Sequence, residues 1–174
     1  MKNNLFILIF FLLLGCSSQT TVSTNAAVKT SCPTVLLSLE HNQYITGNAK
    51  PITTENIGYR AEINNYAFKS ECSIKDNILQ AELSLLFIAK PDLTEESSIT
   101  LPFYVAVLNM NDDVVEMQYY QADGDFMSES ENVNYIETEL TKTIKLQISS
   151  LNEEGLNQNK VVVGFMLDLS LIHI

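Results

Sequence analysis

The sequence predicts an all-β chain folded as an antiparallel β-sandwich of about seven strands. Three observations carry that prediction: apolar residues recur with period two, turn-forming clusters interrupt them, and few segments have helical spacing. Leu79, Ala81, Leu83, Leu85, Phe87 and Ala89 share one face of a strand, while Gln80, Glu82 and Ser84 open the other face to water. Ile99, Leu101, Phe103, Val105 and Val107 repeat the pattern, as do Leu140, Ile144, Leu146 and Ile148, then Val161, Val163, Phe165 and Leu167. Shorter strands are expected over residues 34–39, 59–66 and 114–120. Asn111-Asp112-Asp113 suits a tight hairpin, Pro91-Asp92 starts a loop, and Asn152-Glu153-Glu154-Gly155 ends in a residue that tolerates positive φ. The architecture expected is immunoglobulin-like or fibronectin-like, without being a true immunoglobulin domain. The chain has no Trp to pack on a bridge, and its cysteines fall too early in the strand order.

Ahead of the domain, residues 1–15 have the anatomy of a signal peptide. Lys2 supplies a positive start, residues 5–14 an apolar stretch, and Gly15 a small residue before Cys16. A membrane span needs about 20 apolar residues, and this run has roughly half that. An interfacial helix would need a polar face, which the run lacks. Leu13-Leu14-Gly15-Cys16 resembles the lipobox of bacterial lipoproteins, so the mature protein is expected to begin at an acylated Cys16. That resemblance implies a thioether-linked diacylglycerol on Cys16 and, in many bacteria, a third chain on its amine. More than one chain anchors stably. Ser17 and Ser18 replace the Asp that often retains enterobacterial lipoproteins in the inner membrane. The expected location is therefore the outer membrane facing the periplasm, with inner-membrane retention as the alternative.

Residues 16–31 read as a flexible tether, rich in Ser and Thr and without apolar periodicity. At about 15 residues its typical reach is roughly 20 Å. Residues 32–168 follow as one domain. The formal charge of the chain is −11, and losing residues 1–15 removes only Lys2, giving −12. Such a balance repels nucleic acid and anionic head groups, so no nucleic-acid partner is expected and lipid alone holds the protein to its membrane.

With Cys16 assigned to lipid, Cys32 and Cys72 remain as an even pair in a compartment where disulfides persist. Bridging them closes a loop of about 40 residues, worth roughly 3–4 kcal/mol in the chain-entropy model. A redox pair would want C-x-x-C spacing and a zinc site a His cluster, and neither is present in the sequence. No metal or cofactor is expected.

Other chemistry is sparse. His41 stands without a G-x-S-x-G elbow and reads as an exposed loop histidine. Asp123-Gly124-Asp125 with Glu129 and Glu131 offers oxygen ligands, but the spacing is not that of an EF-hand, and a solvated acidic loop is the expectation. Tyr104, Tyr119 and Tyr120 are candidates for an aromatic recognition surface, some of them covering the core. The last residues, Leu169-Ser170-Leu171-Ile172-His173-Ile174, match the translation of CTG TCT CTT ATA CAC ATC, a transposase end sequence used in library preparation. Residues 169–174 are therefore read as an adapter artefact, against the alternative that residues 161–174 form one long strand.

Ser31-Cys32-Pro33, Tyr59-Arg60-Ala61-Glu62-Ile63, Cys72, Leu101-Pro102-Phe103-Tyr104-Val105-Ala106-Val107 and Val163-Gly164-Phe165 occur in that order. Together they resemble a family of uncharacterised alphaproteobacterial outer-envelope lipoproteins. The resemblance implies an envelope lipoprotein with Cys32 and Cys72 paired, and implies no activity. The function expected is that of a structural or protein-interaction module that docks an envelope partner, for instance by strand addition. The alternatives are a carrier of an apolar ligand such as a lipid and, last, an enzyme.

Overall fold

The computed structural model describes residues 26–128, 134–149 and 159–167, and within them the chain is two packed β-sheets without a helix. The strands are β1 (Val28–Thr30), β2 (Thr34–Leu37), β3 (Gln43–Gly47), β4 (Ile57–Phe68), β5 (Cys72–Lys75), β6 (Ile78–Pro91), β7 (Ser98–Leu108), β8 (Val114–Asp125), β9 (Thr138–Ser149) and β10 (Lys160–Phe165). The seven expected strands are all present. Three more, β1, β3 and β5, span three to five residues each, too short for alternation to show.

The first sheet is built on β6. One of its edges pairs with β9 along twelve consecutive positions, from Ile78↔Ser149 to Ala89↔Thr138. Its other edge pairs first with β5 and then with β4, so these two behave as one strand interrupted at residues 69–71. Outside them lie β1, on β5, and β3, on β4. The second sheet runs β2-β10-β7-β8. All described strand pairs are antiparallel except β2 with β10, a parallel pair that joins an early strand to the last described one without a hairpin. This strand order defines the architecture more closely than an immunoglobulin or fibronectin label does.

Alternation places the core as expected. Leu79, Leu83, Leu85, Phe87, Leu101, Phe103, Val161, Val163 and Phe165 are fully buried between the sheets. Gln80 and Glu82 face water, but Ser84 does not. It sits on the outer face of a central strand, covered by its neighbours, and accepts a hydrogen bond from Thr143 Oγ1 at 3.3 Å. An unbroken run of ring contacts threads the core from Tyr120 through Phe103, Phe87, Phe165, Tyr44, Tyr59 and Phe126 to Tyr135, with centroids 5.3 to 6.4 Å apart.

Turn chemistry explains the hairpins. Asp76 and Asn77 both have positive φ, 53° and 62°, the signature of the two-residue type I′ turn that joins β5 to β6. In the β7–β8 loop Asp112 has φ 63°, and Asn109 Oδ1 accepts hydrogen bonds from the backbone N–H groups of Asn111 and Asp113. The expected turn at residues 152–155 lies outside the described residues, as do residues 169–174.

The end of the expected tether is ordered. Val28–Thr30 pairs with β5, Thr30 lying opposite Cys72, and Lys29 forms an ion pair with Glu71. The segment joins the sheet through backbone bonds, which need no apolar pattern and so leave no periodicity to read.

Tyr59 supplies the hydrogen bonds that β10 would otherwise make. β10 stops at Phe165, opposite Phe103, and beyond it the Tyr59 hydroxyl donates to Thr100 O at 3.0 Å and accepts from Thr100 N–H at 3.2 Å. Pro102 lies in the same stretch, where its missing N–H faces the end of β10 and its carbonyl accepts from Met166 N–H. Burial pushes the Tyr59 phenol above its ordinary value near 10, partly offset by the bond from Thr100. The folded state therefore holds this proton more tightly than the unfolded one. Its contribution is complete below pH 10 and is lost as pH climbs past it. Tyr59→Phe is expected to lower stability by about 1–2 kcal/mol at neutral pH. It should also flatten the alkaline fall, as read by urea denaturation at several pH values.

Candidate functional site

The paired cysteines come first among the predicted positions. Cys32 and Cys72 are bonded, with Cα atoms 5.1 Å apart, joining the start of the domain to the buried first residue of β5. Cys16 lies outside the described residues.

His41 is not an exposed loop histidine. It is half-buried, its Nδ1 lies 3.0 Å from Tyr104 OH, and its ring meets the Tyr104 ring edge-on. Its carbonyl accepts from Phe165 N–H, which draws the loop after β2 onto the second sheet. Gly164 makes this possible. A Cβ there would fall 2.6 Å from Tyr104 OH and 3.0 Å from His41 Cβ, so only glycine lets the tyrosine ring lie across the strand.

The acidic group splits up. Asp123 and Asp125 are on β8, and Asp123 Oδ1 accepts from Thr100 Oγ1 and Gln121 Nε2 at 3.3 and 2.6 Å. Glu129 and Glu131 lie outside the described residues, and among those described no three potential ligands gather for a metal. The tyrosines divide by strand parity. Tyr104 and Tyr119 are cross-strand neighbours on the outer face of the second sheet, while Tyr120 turns inward and stacks on Phe103 at 5.5 Å. Burial and then the charge of Glu116 raise the Tyr120 phenol above its ordinary value.

Tyr120 opens a polar seam that the strand prediction did not contain. On the inward side of β8, its hydroxyl donates to Gln118 Oε1 at 2.5 Å. Gln118 Nε2 donates to Glu116 Oε1 and to the carbonyl of Gln147 on β9, both at 2.7 Å, and Glu116 Oε2 accepts from Ser149 N–H at 3.1 Å. β8 and β9 are outer strands of different sheets on the same side of the sandwich. Side chains of one thus satisfy the outward backbone groups of the other. Near the start of β9 the packing is apolar: a Cβ on Gly124 would fall 2.2 Å from Leu140 Cδ2, so glycine lets Leu140 reach under β8.

The seam also defines what it leaves open. In an antiparallel strand alternate residues direct both N–H and C=O to the same side. Gln147 and Ser149 direct theirs away from β6, and so, by parity, do Glu139, Thr141, Thr143 and Lys145. No described strand pairs with that outer edge. It is regular, without a bulge, and presents a row of backbone donors and acceptors ending where Glu116 and Gln118 take over. The sequence signal for it was Glu116-x-Gln118-x-Tyr120: polar groups on the core-facing side of a strand mark an edge that covers another edge.

Among the clefts formed by the described residues, three have volumes of about 290, 220 and 600 Å³. The largest is lined by Thr46, Asn48, Thr94, Glu95, Glu96 and Ser98, among others, at the end of the sandwich where Tyr59 meets Thr100. Its lining is polar, unlike that of an apolar ligand pocket. Comparison with protein families, curated proteins and solved structures finds no match to this chain.

Proposed function

We propose that this protein is a lipoprotein of the bacterial envelope, held through Cys16 at the periplasmic face of the outer membrane. There it binds an envelope protein by accepting a strand of that partner on the outer edge of β9. The row Glu139, Thr141, Thr143 and Lys145, with which no described strand pairs, is the observation that carries this reading. Backbone pairing supplies affinity in such a mode, and the alternating side chains supply selectivity. A carrier of apolar ligands would need a hollow between the sheets, where Phe87, Phe103 and Phe165 are fully buried and in ring contact. No catalytic step belongs to this reading.

The anchor and the edge are tested separately. Cys16→Ser should abolish labelling by radioactive palmitate and leave uncleaved precursor or released protein; normal labelling of that variant would remove the anchor. For the edge, a photo-crosslinker at Lys145 in intact envelopes should give a discrete adduct that a crosslinker at Glu62, on the outer face of the first sheet, does not give. Thr141→Pro removes one outward N–H, which the ladder to β6 does not use, and proline is tolerated on such an edge. It should reduce the Lys145 adduct at least about tenfold while leaving the melting temperature within a few degrees. An adduct unaffected by that proline would sink the strand-addition reading.

A further inference from the structure

We infer that the tip of the β7–β8 hairpin, with the apolar part of the outer face beside it, rests on a zwitterionic phospholipid surface. The inference rests on the lipid-anchor reading of Cys16 and adds which side of the domain meets the membrane.

The path of the chain selects the end. β1 runs antiparallel to β5, so Val28 lies near the Asp76-Asn77 turn, and the residues before it enter at that end of the sandwich. The Glu116 bond to Ser149, which pairs with Ile78, places the β7–β8 hairpin at the same end. From Cys16 to Val28 the chain spans at most about 40 Å, so this end is held close to the lipid in which Cys16 sits. At that effective concentration a weak contact is enough.

The hairpin found there exposes apolar side chains. Met110 is 65% exposed, Val114 55% and Val115 57%. The patch continues up the sheet through the cross-strand row Leu36–Val162–Ala106–Met117, of which Leu36 and Met117 are exposed. Both carboxylates at the tip already have partners. Asp112 pairs with Lys160 at 2.8 Å, Asp113 Oδ2 accepts from Asn109 Nδ2 at 3.3 Å, and the loop backbone is bonded to Asn109. A tip whose backbone and charges are met from within can enter the head-group layer without leaving them unpaired. The outer face of the first sheet is different, carrying Arg60, Glu62, Glu82, Lys90 and Lys145.

Charge selects the occupant. At −11 per chain a second copy on this face would bring like charges together, and an anionic lipid surface would repel it. Neutral head groups carry neither penalty.

The chain contains no Trp, so one introduced residue reports its own surroundings. The mature chain, beginning at Cys16 and carrying Met110→Trp, or Leu93→Trp at the opposite end, is coupled through the thiol of unacylated Cys16 to maleimide-phosphatidylethanolamine. The vesicles are phosphatidylcholine and phosphatidylethanolamine, with or without brominated acyl chains. Emission from Met110→Trp should be quenched about twofold or more by the brominated lipid, and that from Leu93→Trp should not change. Adding Val115→Ser and Met117→Ser should reverse the quenching. Equal emission of Met110→Trp in brominated and plain vesicles overturns the proposal. So does stronger quenching when phosphatidylglycerol replaces phosphatidylethanolamine, or a dimer in sedimentation whose tryptophan is shielded without lipid. Because the coupling is chemical, failure here leaves the anchor standing. Failure of the anchor shows separately, as an unmodified Cys16 peptide in the mass spectrum of protein from cells.

Discussion

Phe87→Ala should destabilise the domain by about 3–5 kcal/mol, the range for truncating a fully buried phenylalanine. Phe87 is wholly buried on β6 and touches Phe103 on β7 and Phe165 on β10, with centroids 5.3 and 5.8 Å away. It is therefore the ring through which the first sheet grips two strands of the second. Truncation removes both ring contacts and leaves a cavity between the two sheets. The melting temperature should fall by roughly 10–15 °C for a domain of this size. Phe87→Leu keeps most of the volume and should lose less than half as much. Near-ultraviolet circular dichroism of the tyrosines and phenylalanines during thermal and urea unfolding measures both. A loss below about 1 kcal/mol for the alanine variant would mean the sheets are not held together at this point.

The position of Phe87 was readable because burial on one face of a strand repeats every second residue, and a register slip would turn the whole apolar set to water. The same logic located Ile99 to Val107 and Val161 to Phe165 and assigned their inward faces. Periodicity tells which side a residue faces but not what it meets. His41 reaches Tyr104 across 63 residues and Gln118 reaches Gln147 across 29, and no local pattern encodes either distance. Why position 164 is a glycine is likewise a matter of the fold, because Tyr104 lies over it from the neighbouring strand. The outer edge of β9, with which no described strand pairs, was the least legible feature. Being an edge is a property of topology, and β9 has the same alternation as a strand paired on both sides. β1 escaped for a related reason, because three residues bound only by their backbone carry no side-chain period.

Breaking the disulfide is the second large effect. Cys32→Ala with Cys72→Ala removes a cross-link over 40 residues of sequence, for which loop-closure entropy predicts a loss of about 3–4 kcal/mol. Alanine suits the test better than serine, because Cys72 has no exposed surface and a hydroxyl there would be buried. The structure adds a local consequence. Among the described strands β1 pairs only with β5, over three positions, and its Lys29–Glu71 ion pair is exposed and contributes little. Once the bond two residues beyond Thr30 is gone, little besides that short ladder holds β1 to the sheet. Hydrogen exchange should accelerate at Val28–Thr30 and along Cys72–Lys75 well before it does in β6 or β7. If the bridge acted through the unfolded chain alone, global stability would fall with the native exchange pattern unchanged. Wild-type protein treated with dithiothreitol should reproduce the variant, and a melting temperature that moves by less than about 1 °C in both would show that the bridge carries no stability.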